Sequence, residues 1–283
     1  DLLSCAFHRG RTMDLASSQG AMVAAGLSAE QVPQWILGLE DQVSIAAING
    51  PTSVTISGAA DAIDTLFDRL ESENVFCRRL AVEYAFHSPQ MDPVHSELIR
   101  SLAHLRPQTT TIPLISTVTG QEIDGRLLNA DYWWRNVRQS VRFADAMYRL
   151  AEAGYGIAVE IGPHPVLAYS IAECFQAKGC SVRSVASLSK QQSDLVCISK
   201  SLGTLYSLGV DIDWTGFYNL PARKLPVPTY PFQLQRLWNE SLESHLSRQA
   251  QVAHPLLGEV TNQDQMGWQQ RIDPKLHDYL SDQ

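Results

Sequence analysis

In the first third of the chain, short stretches of alternating apolar and polar positions are separated by stretches with helical spacing of apolar residues. Alternation is typical of strands with one buried face, and apolar residues three and four positions apart are typical of amphipathic helices. The predicted elements are, in order, a helix over 1–17, a strand over 20–25, a helix over 28–39, strands over 43–48 and 53–57, a helix over 59–74 and a strand over 75–84. From residue 20 onward the order is β-α-β-β-α-β, which predicts a ferredoxin-like unit.

A second pattern, in which strands alternate with longer helices, begins after residue 88. The predicted elements are helices over 89–105, 131–153, 166–178 and 193–208, and strands over 111–116, 156–161 and 181–187. Such alternation indicates a parallel sheet covered by helices. The strand over 156–161 is apolar enough to be buried on both faces. The sequence therefore predicts an α/β unit, with the ferredoxin-like unit inserted into it or appended to it.

The alternation ends near residue 210. Residues 210–239 are rich in proline and aromatic residues, which indicates an extended segment packed over a surface. Residues 240–253 are polar and predict a flexible link, and residues 254–258 begin another element. Because the sequence starts with Asp1 inside a predicted helix and stops without a closing element, we expect it to be an excerpt from a longer polypeptide.

Composition excludes several classes of function. The chain has 283 residues, 45% of them hydrophobic, and a formal net charge of −8, so it offers no basic face for a nucleic acid. No apolar run approaches the length of a membrane span, and no secretory signal is present. The five cysteines are dispersed, without metal-ligand spacing, which favours reduced thiols in a cytoplasmic protein.

One histidine has a position suited to proton transfer. His87 lies in the stretch Tyr84-Ala-Phe-His-Ser-Pro-Gln-Met91, between the predicted strand 75–84 and a helix that opens at Pro89. Its unperturbed pKa lies near neutrality, so an imidazole held on a short loop can take up and return a proton at working pH. The alternative is a structural histidine that caps the following helix.

The stretch around His87 resembles the catalytic-histidine motif of the acyltransferase domains of type I polyketide synthases. The same family includes the malonyl-CoA:acyl-carrier-protein transacylases of fatty-acid synthesis. Other stretches that resemble the acyltransferase domain are His8–Met13 with Gly20–Met22, Ala47–Pro51 with Ser57–Gly58, Tyr132–Val137 with Val141–Phe143, and Glu160–Leu167. Leu225–Phe232 with Gln235, Arg236 and Trp238 resembles the post-acyltransferase linker, and His254–Gly258 resembles the opening of a dehydratase domain.

The resemblance implies a fold and a set of domain boundaries. The expected fold class is α/β: a partial α/β-hydrolase-like large subdomain over 1–19 and 86–208, with a ferredoxin-like small subdomain over 20–85 inserted into it. An extended linker is expected over 209–253, followed by the truncated start of a dehydratase domain over 254–283. Neither His254 nor His277 is expected to be the catalytic base of that second domain.

The resemblance also implies a reaction. In this family a serine in a Gly-x-Ser-x-Gly turn attacks the thioester of malonyl-CoA or a related extender, and the acyl group then passes to the phosphopantetheine thiol of an acyl carrier protein. The expected partners are that carrier domain and the ketosynthase and dehydratase domains of the same polypeptide. No bound cofactor and no metal are expected.

By resemblance, four residues of this chain form the site. His87 is the expected base, and Arg9 is expected to hold the free carboxylate of malonate, since a guanidinium grips a carboxylate with two hydrogen bonds. Without the resemblance, a surface ion pair would be the favoured role for Arg9. Phe86 is expected to line the substrate pocket, and Asn136 matches a position whose backbone carbonyl orients the histidine, with a helix-surface amide as the alternative.

Two neighbouring residues refine these expectations. Arg11, two positions beyond Arg9, is expected to face elsewhere on the helix. A bulky residue before the histidine, Phe86, resembles the malonyl type of pocket, whereas Tyr84 resembles the methylmalonyl type. Malonyl is therefore the preferred extender, with methylmalonyl as the alternative.

The nucleophile motif is absent from this sequence. Gly26-Leu-Ser28 and Gly179-Cys-Ser181 both lack the closing glycine. In the family, the serine lies upstream of the segment that resembles His8–Met13, so we expect it outside this chain and expect the chain alone to be inactive. A non-catalytic docking scaffold is the alternative function, and a hydrolase with a similar serine–histidine mechanism is a third, which Arg9 disfavours.

Overall fold

The computed structural model describes residues 2–14, 20–82, 84–218, 225–235, 239–242, 244–245, 257–262 and 267–270. Contacts between α-carbons divide the chain into two compact units, Asp1–Phe217 and Tyr218–Gln283. No helix within the described ranges has both the length and the apolar character that crossing a bilayer requires.

The first part of the larger unit forms the predicted small subdomain. Its elements, with the helix that precedes them, are α1 (Leu2–Asp14), β1 (Gly20–Ala25), α2 (Val32–Trp35), β2 (Val43–Gly50), β3 (Ser53–Ala59), α3 (Ala60–Ser72) and β4 (Cys77–Arg79). The strands form an antiparallel sheet in the order β2-β3-β1-β4, which confirms the ferredoxin-like prediction. Helix α3 covers this sheet because Ile63, Leu66 and Leu70 fall on one face, where all three are fully buried.

Two predicted elements of the small subdomain are much shorter than expected. The helix over 28–39 is reduced to α2, which has Pro33 in its first turn and is followed by Gly38 at a φ of 79°. The strand over 75–84 is reduced to β4, whose last bond to the sheet runs from the N–H of Leu80 to the carbonyl of Met22. The chain therefore leaves the sheet well before His87.

The rest of the larger unit contains a 3₁₀ helix (Pro89–Val94), α4 (His95–Leu102), β5 (Ile115–Ser116), β6 (Gln121–Glu122), a second 3₁₀ helix (Gly125–Leu127), α5 (Ala130–Arg138), α6 (Phe143–Glu152), β7 (Ile157–Glu160), α7 (Ala168–Ala177), β8 (Arg183–Ala186), α8 (Asp194–Ser207) and α9 (Trp214–Phe217). Strands β7 and β8 are parallel and α7 connects them, as the alternating pattern predicts. The predicted strand over 111–116 is reduced to β5, which pairs with β6 in a short hairpin.

The prediction that residues 156–161 are buried on both faces is wrong for the described chain. Val159 is 43% exposed and Ile161 is 83% exposed. Among the described residues, only β8 pairs with β7, so one edge of β7 has no neighbour there.

The prediction of a single helix over 131–153 is also wrong, because two helices form there. Helix α5 ends at Arg138 and α6 begins at Phe143. Residues 139–142 link them, and we call this segment the connector. In the connector, the backbone of Val141 bonds to strand β2 and the N–H of Arg142 bonds to the carbonyl of Thr117, so neither residue can continue a helix.

The second unit is described only in part. It contains an antiparallel pair, β9 (Glu259–Asn262) and β10 (Gly267–Gln269), and residues 225–235 have no regular secondary structure. Arg236, Trp238, His254 and His277 lie outside the described residues. The linker over 209–253 and the dehydratase segment over 254–283 therefore stay predictions.

Candidate functional site

The loop that carries His87 is fixed at several points. The N–H of His87 donates to the carbonyl of Val137 at 3.1 Å, and His87 adopts a left-handed backbone conformation with φ at 62°. Its neighbour Ser88 is buried, donates its hydroxyl to the carbonyl of Ala85 at 2.7 Å and accepts from the N–H of Gln90. Ser88, and not His87, therefore caps the following 3₁₀ helix, so the helix-capping alternative for His87 is wrong.

The imidazole of His87 is held in one tautomer. Its Nδ1 lies 2.8 Å from the backbone carbonyl oxygen of Gln139. Because a carbonyl oxygen can only accept, Nδ1 carries the proton and the lone pair of Nε2 is available as a base. Burial lowers the pKa of His87 below its usual value, the Gln139 carbonyl opposes this shift, and the positive charge of Arg9 adds to it.

The prediction that Asn136 supplies the orienting carbonyl is wrong. The carbonyl that contacts His87 belongs to Gln139, three residues further along the chain. Asn136 lies inside α5 and is half-buried. Helix α5 ends at Arg138, and the carbonyl that contacts the imidazole follows this end, whereas the carbonyl of Val137 in the last turn accepts from the N–H of His87.

Arg9 lies on α1 with its side chain half-buried. Its Nε is buried without a hydrogen-bond partner, and no carboxylate of the described residues lies within ion-pair distance of its guanidinium. Arg11, in contrast, contacts Glu97 at 2.7 Å, which confirms that it faces elsewhere on the helix. The surface ion pair considered for Arg9 is thus formed by Arg11.

Trp133 is a site residue that the sequence did not single out. The Cζ of Arg9 lies 5.8 Å from the centroid of the Trp133 ring, a distance typical of a cation–π contact. Two sequence signals point to it: the stretch Tyr132–Val137 resembles part of the acyltransferase domain, and Trp133 lies four residues before Val137 on α5, where both contact the same core.

Phe86 connects the histidine loop to this core. Its ring stacks on that of Tyr84, with centroids 5.1 Å apart and planes inclined by 15°. Phe86 also packs against a buried cluster shared by α1, the 3₁₀ helix, α4 and α5. The buried members of that cluster are Cys5, Met91, Leu98, Leu102, Leu105 and Val137. Helix α1, which carries Arg9, and the loop that carries His87 are therefore anchored in one core.

These contacts anchor an imidazole with an available Nε2 and the helix that carries Arg9 in one core, and no serine among the described residues contacts that Nε2. Ser88 is the hydroxyl next to His87 in sequence, and it is 1% exposed and donates to a backbone carbonyl. It is thus unavailable for attack. Among the described residues there is no group of three or more His, Cys, Asp or Glu side chains that could hold a metal ion.

Comparison with known proteins shows the family to which the chain belongs. Residues 1–212 match the family model described as the acyl transferase domain. The chain is 36% identical over 260 residues to polyketide synthase GfsB of Streptomyces halstedii, covering 90% of this chain and 5% of that protein. It is 38% identical over 233 residues to erythronolide synthase EryA2 of Saccharopolyspora erythraea, covering 81% of this chain and 6% of that protein.

A solved structure gives the same result. The acyltransferase domain from module 8 of the salinomycin polyketide synthase superimposes with a TM-score of 0.72 at 33% identity, over 75% of this chain and 50% of that one. The chain thus spans half of that domain structure and a small part of the curated synthases that it matches. We conclude that this chain belongs to the acyl transferase domain family of type I polyketide synthases.

Proposed function

We propose that the polypeptide containing this chain transfers a malonyl group from coenzyme A to the phosphopantetheine thiol of an acyl carrier protein. The observation that carries the proposal is the His87 imidazole, protonated on Nδ1 by its bond to the Gln139 carbonyl and lying in the field of Arg9. That arrangement supplies a neutral base next to a fixed positive charge. The nucleophilic serine of the family's Gly-x-Ser-x-Gly motif is not in this sequence.

In the proposed first step, Nε2 of His87 takes the serine hydroxyl proton while the serine oxygen attacks the thioester carbonyl. The tetrahedral intermediate expels the coenzyme A sulfur, which receives the proton from Nε2. The second step repeats this sequence with the carrier thiol as the nucleophile, and the proton returns to serine. His87 therefore serves as base and as acid in each half of the reaction, which suits a pKa below its usual value.

Arg9 would bind the free carboxylate of malonate. Two observations support this role. The Nε of Arg9 is buried without a hydrogen-bond partner and needs an acceptor, and no carboxylate of the described residues forms an ion pair with the Arg9 guanidinium. A desolvated guanidinium stays charged and matches a carboxylate with two parallel bonds. Phe86, stacked on Tyr84, would line the pocket, and this bulk favours malonyl over methylmalonyl as the extender.

The partners follow from the reaction and from the architecture of the relatives. An acyl carrier domain would receive the acyl group, and ketosynthase and dehydratase domains would belong to the same polypeptide. We further propose a cytoplasmic location, because the thiols are dispersed and reduced. The second candidate function is a docking scaffold without catalysis, which the absence of a Gly-x-Ser-x-Gly motif upstream in the parent polypeptide would favour.

The decisive experiment uses the polypeptide with its upstream segment and follows loading of malonyl groups from labelled malonyl-CoA. His87→Ala should lower the loading rate by about 100- to 10,000-fold, the range typical of a lost general base. His245→Ala, in the second unit, is the control and should leave loading unchanged. Undiminished loading by His87→Ala would remove the proposed mechanism, and absence of loading by the unmodified polypeptide would favour the scaffold.

A hydrolase would be recognised in the same assay. Arg9 is expected to favour transfer of a dicarboxylic acyl unit to a thiol over its release to water. Release of free malonate at the rate of loading, with carrier protein present, would support the hydrolase.

A further inference from the structure

The connector touches the small subdomain and the catalytic histidine at the same time. On one side, the N–H of Val141 donates to the carbonyl of Ala46 at 2.8 Å, and the carbonyl of Val141 accepts from the N–H of Ile48 at 2.9 Å. These two bonds make a parallel bridge between Val141 and Ala47. Val141 therefore extends the four-stranded sheet at the outer edge of β2.

On the other side, the same stretch of backbone holds His87. The carbonyl of Gln139, two residues before Val141, accepts from Nδ1 of His87 at 2.8 Å, and the carbonyl of Val137 accepts from its N–H at 3.1 Å. The connector is also fixed beyond Val141, because the N–H of Arg142 donates to the carbonyl of Thr117 at 2.7 Å. Few conformations of residues 139–142 satisfy all of these bonds together.

We propose that Val141 and Ile48 are positioning residues, whose backbone bonds let strand β2 set the tautomer and orientation of His87 through the Gln139 carbonyl. Any shift of β2 relative to α5 is transmitted over two residues to the atom that fixes the proton on Nδ1. This proposal rests on the proposed function only for its catalytic consequence, because the tautomer of His87 can be measured without turnover.

The chain offers a selective way to break the connection. The N–H of Ile48 points away from β3 toward Val141, so proline at this position removes a bond to the connector and leaves the β2–β3 ladder bonds in place. Proline on an outward-facing edge position is tolerated in sheets, whereas Ile48→Val retains the N–H and serves as the matched control.

The experiment records nitrogen-15 spectra of histidine-labelled protein at about pH 8, where a histidine of lowered pKa is neutral. The His87 signals are assigned by their loss in His87→Ala. In the unmodified chain and in Ile48→Val, the Nδ1–H form should dominate. In Ile48→Pro, the Nε2–H form should become populated because the Gln139 carbonyl is no longer fixed. An unchanged tautomer in a folded Ile48→Pro protein would overturn the proposal.

If circular dichroism shows that Ile48→Pro does not fold, Val141→Gly provides the same test. It keeps both bonds possible but raises the entropic cost of ordering the connector, so a smaller rise of the Nε2–H form is expected. An unchanged tautomer in that variant would equally overturn the proposal. In the polypeptide with its upstream segment, Ile48→Pro should lower kcat for malonyl loading and leave KM nearly unchanged. A tautomer shift without any loading activity in the unmodified polypeptide would overturn the proposed function but not this inference.

Discussion

The guanidinium of Arg9 lies over the indole of Trp133, with its Cζ 5.8 Å from the ring centroid. The two residues belong to different helices, α1 and α5, so the contact sets the position of a cation relative to the segment that leads to the connector. The ring also covers part of the guanidinium without offering it a hydrogen-bond acceptor. The Nε of Arg9 is buried without a hydrogen-bond partner beside this contact.

Replacing Trp133 by leucine should weaken the binding of malonyl-CoA more than that of acetyl-CoA. A cation–π contact of this kind contributes about 0.5 to 2 kcal/mol, and only malonyl has the carboxylate that Arg9 would bind. The measurement is KM for both substrates in the polypeptide with its upstream segment. Trp134→Leu is the control, because the Trp134 ring contacts His95. Equal losses with both substrates would mean that Trp133 only stabilises the core.

Arg9→Gln should raise the pKa of His87. The positive charge of Arg9 disfavours the imidazolium, so its removal brings the pKa back toward the ordinary value of 6.5. The acid limb of the rate profile would move to higher pH in parallel, since the base is lost when it becomes protonated. Titration of the His87 ring signals by NMR measures the shift, and Arg11→Gln is the control. If the pKa of His87 were the same in Arg9→Gln and in the unmodified chain, the guanidinium of Arg9 and the imidazole of His87 would not share a site.

The same titration has a consequence for stability. The folded-state pKa of His87 lies below its unfolded value, so the neutral imidazole contributes stability that is present above the unfolded pKa and is lost as pH falls through the folded pKa. His87→Asn, which tolerates the left-handed backbone, should lose less unfolding free energy than the unmodified chain when pH is lowered through this window. Urea denaturation across that window measures the difference. Identical pH dependence of the two proteins would contradict the shift.

Gly20→Ala should disturb the histidine loop, whereas Gly50→Ala should be tolerated better. A β-carbon at Gly20 would overlap the backbone nitrogen of Ala85 and lie 2.8 Å from its Cβ, and that backbone cannot move without moving His87. The atoms nearest to a β-carbon at Gly50 would be those of the Glu173 carboxylate, which is the end of a side chain and not backbone. Overpacking of the first kind costs about 1–3 kcal/mol.

Thermal or urea unfolding of both glycine variants measures this difference in stability. The NMR signals of the His87 ring should shift in Gly20→Ala only. A Gly50→Ala variant that is the less stable of the two would contradict the account of the loop.

The cysteines should differ sharply in reactivity. Burial, with the nearby charges of Glu173 and Asp145, raises the pKa of Cys174 to about 11, and its side chain is fully buried. Cys180 is exposed. Iodoacetamide at about pH 8 should therefore alkylate Cys180 first, and Cys174 only after unfolding, because the thiolate is the reactive form. Peptide mass spectrometry after timed labelling reads the order, and early modification of Cys174 would contradict its burial.

Local pattern was sufficient for the elements that depend on local spacing. The strands of the ferredoxin-like sheet, helix α3 with its buried face, and the parallel pair β7–β8 all follow from periodicity. The resemblance of the motif around His87 to the family motif was sufficient to predict that His87 lies on a loop. These features need only neighbours in sequence to be recognised.

The break between α5 and α6 depends on contacts that sequence spacing does not reveal. Helical spacing of apolar residues predicts one helix over 131–153, but the backbone of Val141 bonds to strand β2, more than 90 residues earlier in the chain, and the backbone of Arg142 bonds to Thr117. The family resemblance points to Asn136, whereas the carbonyl that contacts His87 belongs to Gln139, in the segment between the two helices.

The left-handed backbone of His87 places a further condition on the loop. Among the described residues, only His87 and Asn74 adopt a positive φ without being glycine, and such a conformation typically costs about 1–2 kcal/mol. A random library at position 87 should for that reason yield stably folded proteins mainly with glycine, asparagine and aspartate, although none of these can replace the imidazole. Transplanting the histidine motif into another scaffold would reproduce its geometry only if the host supplied acceptors equivalent to the carbonyls of Val137 and Gln139.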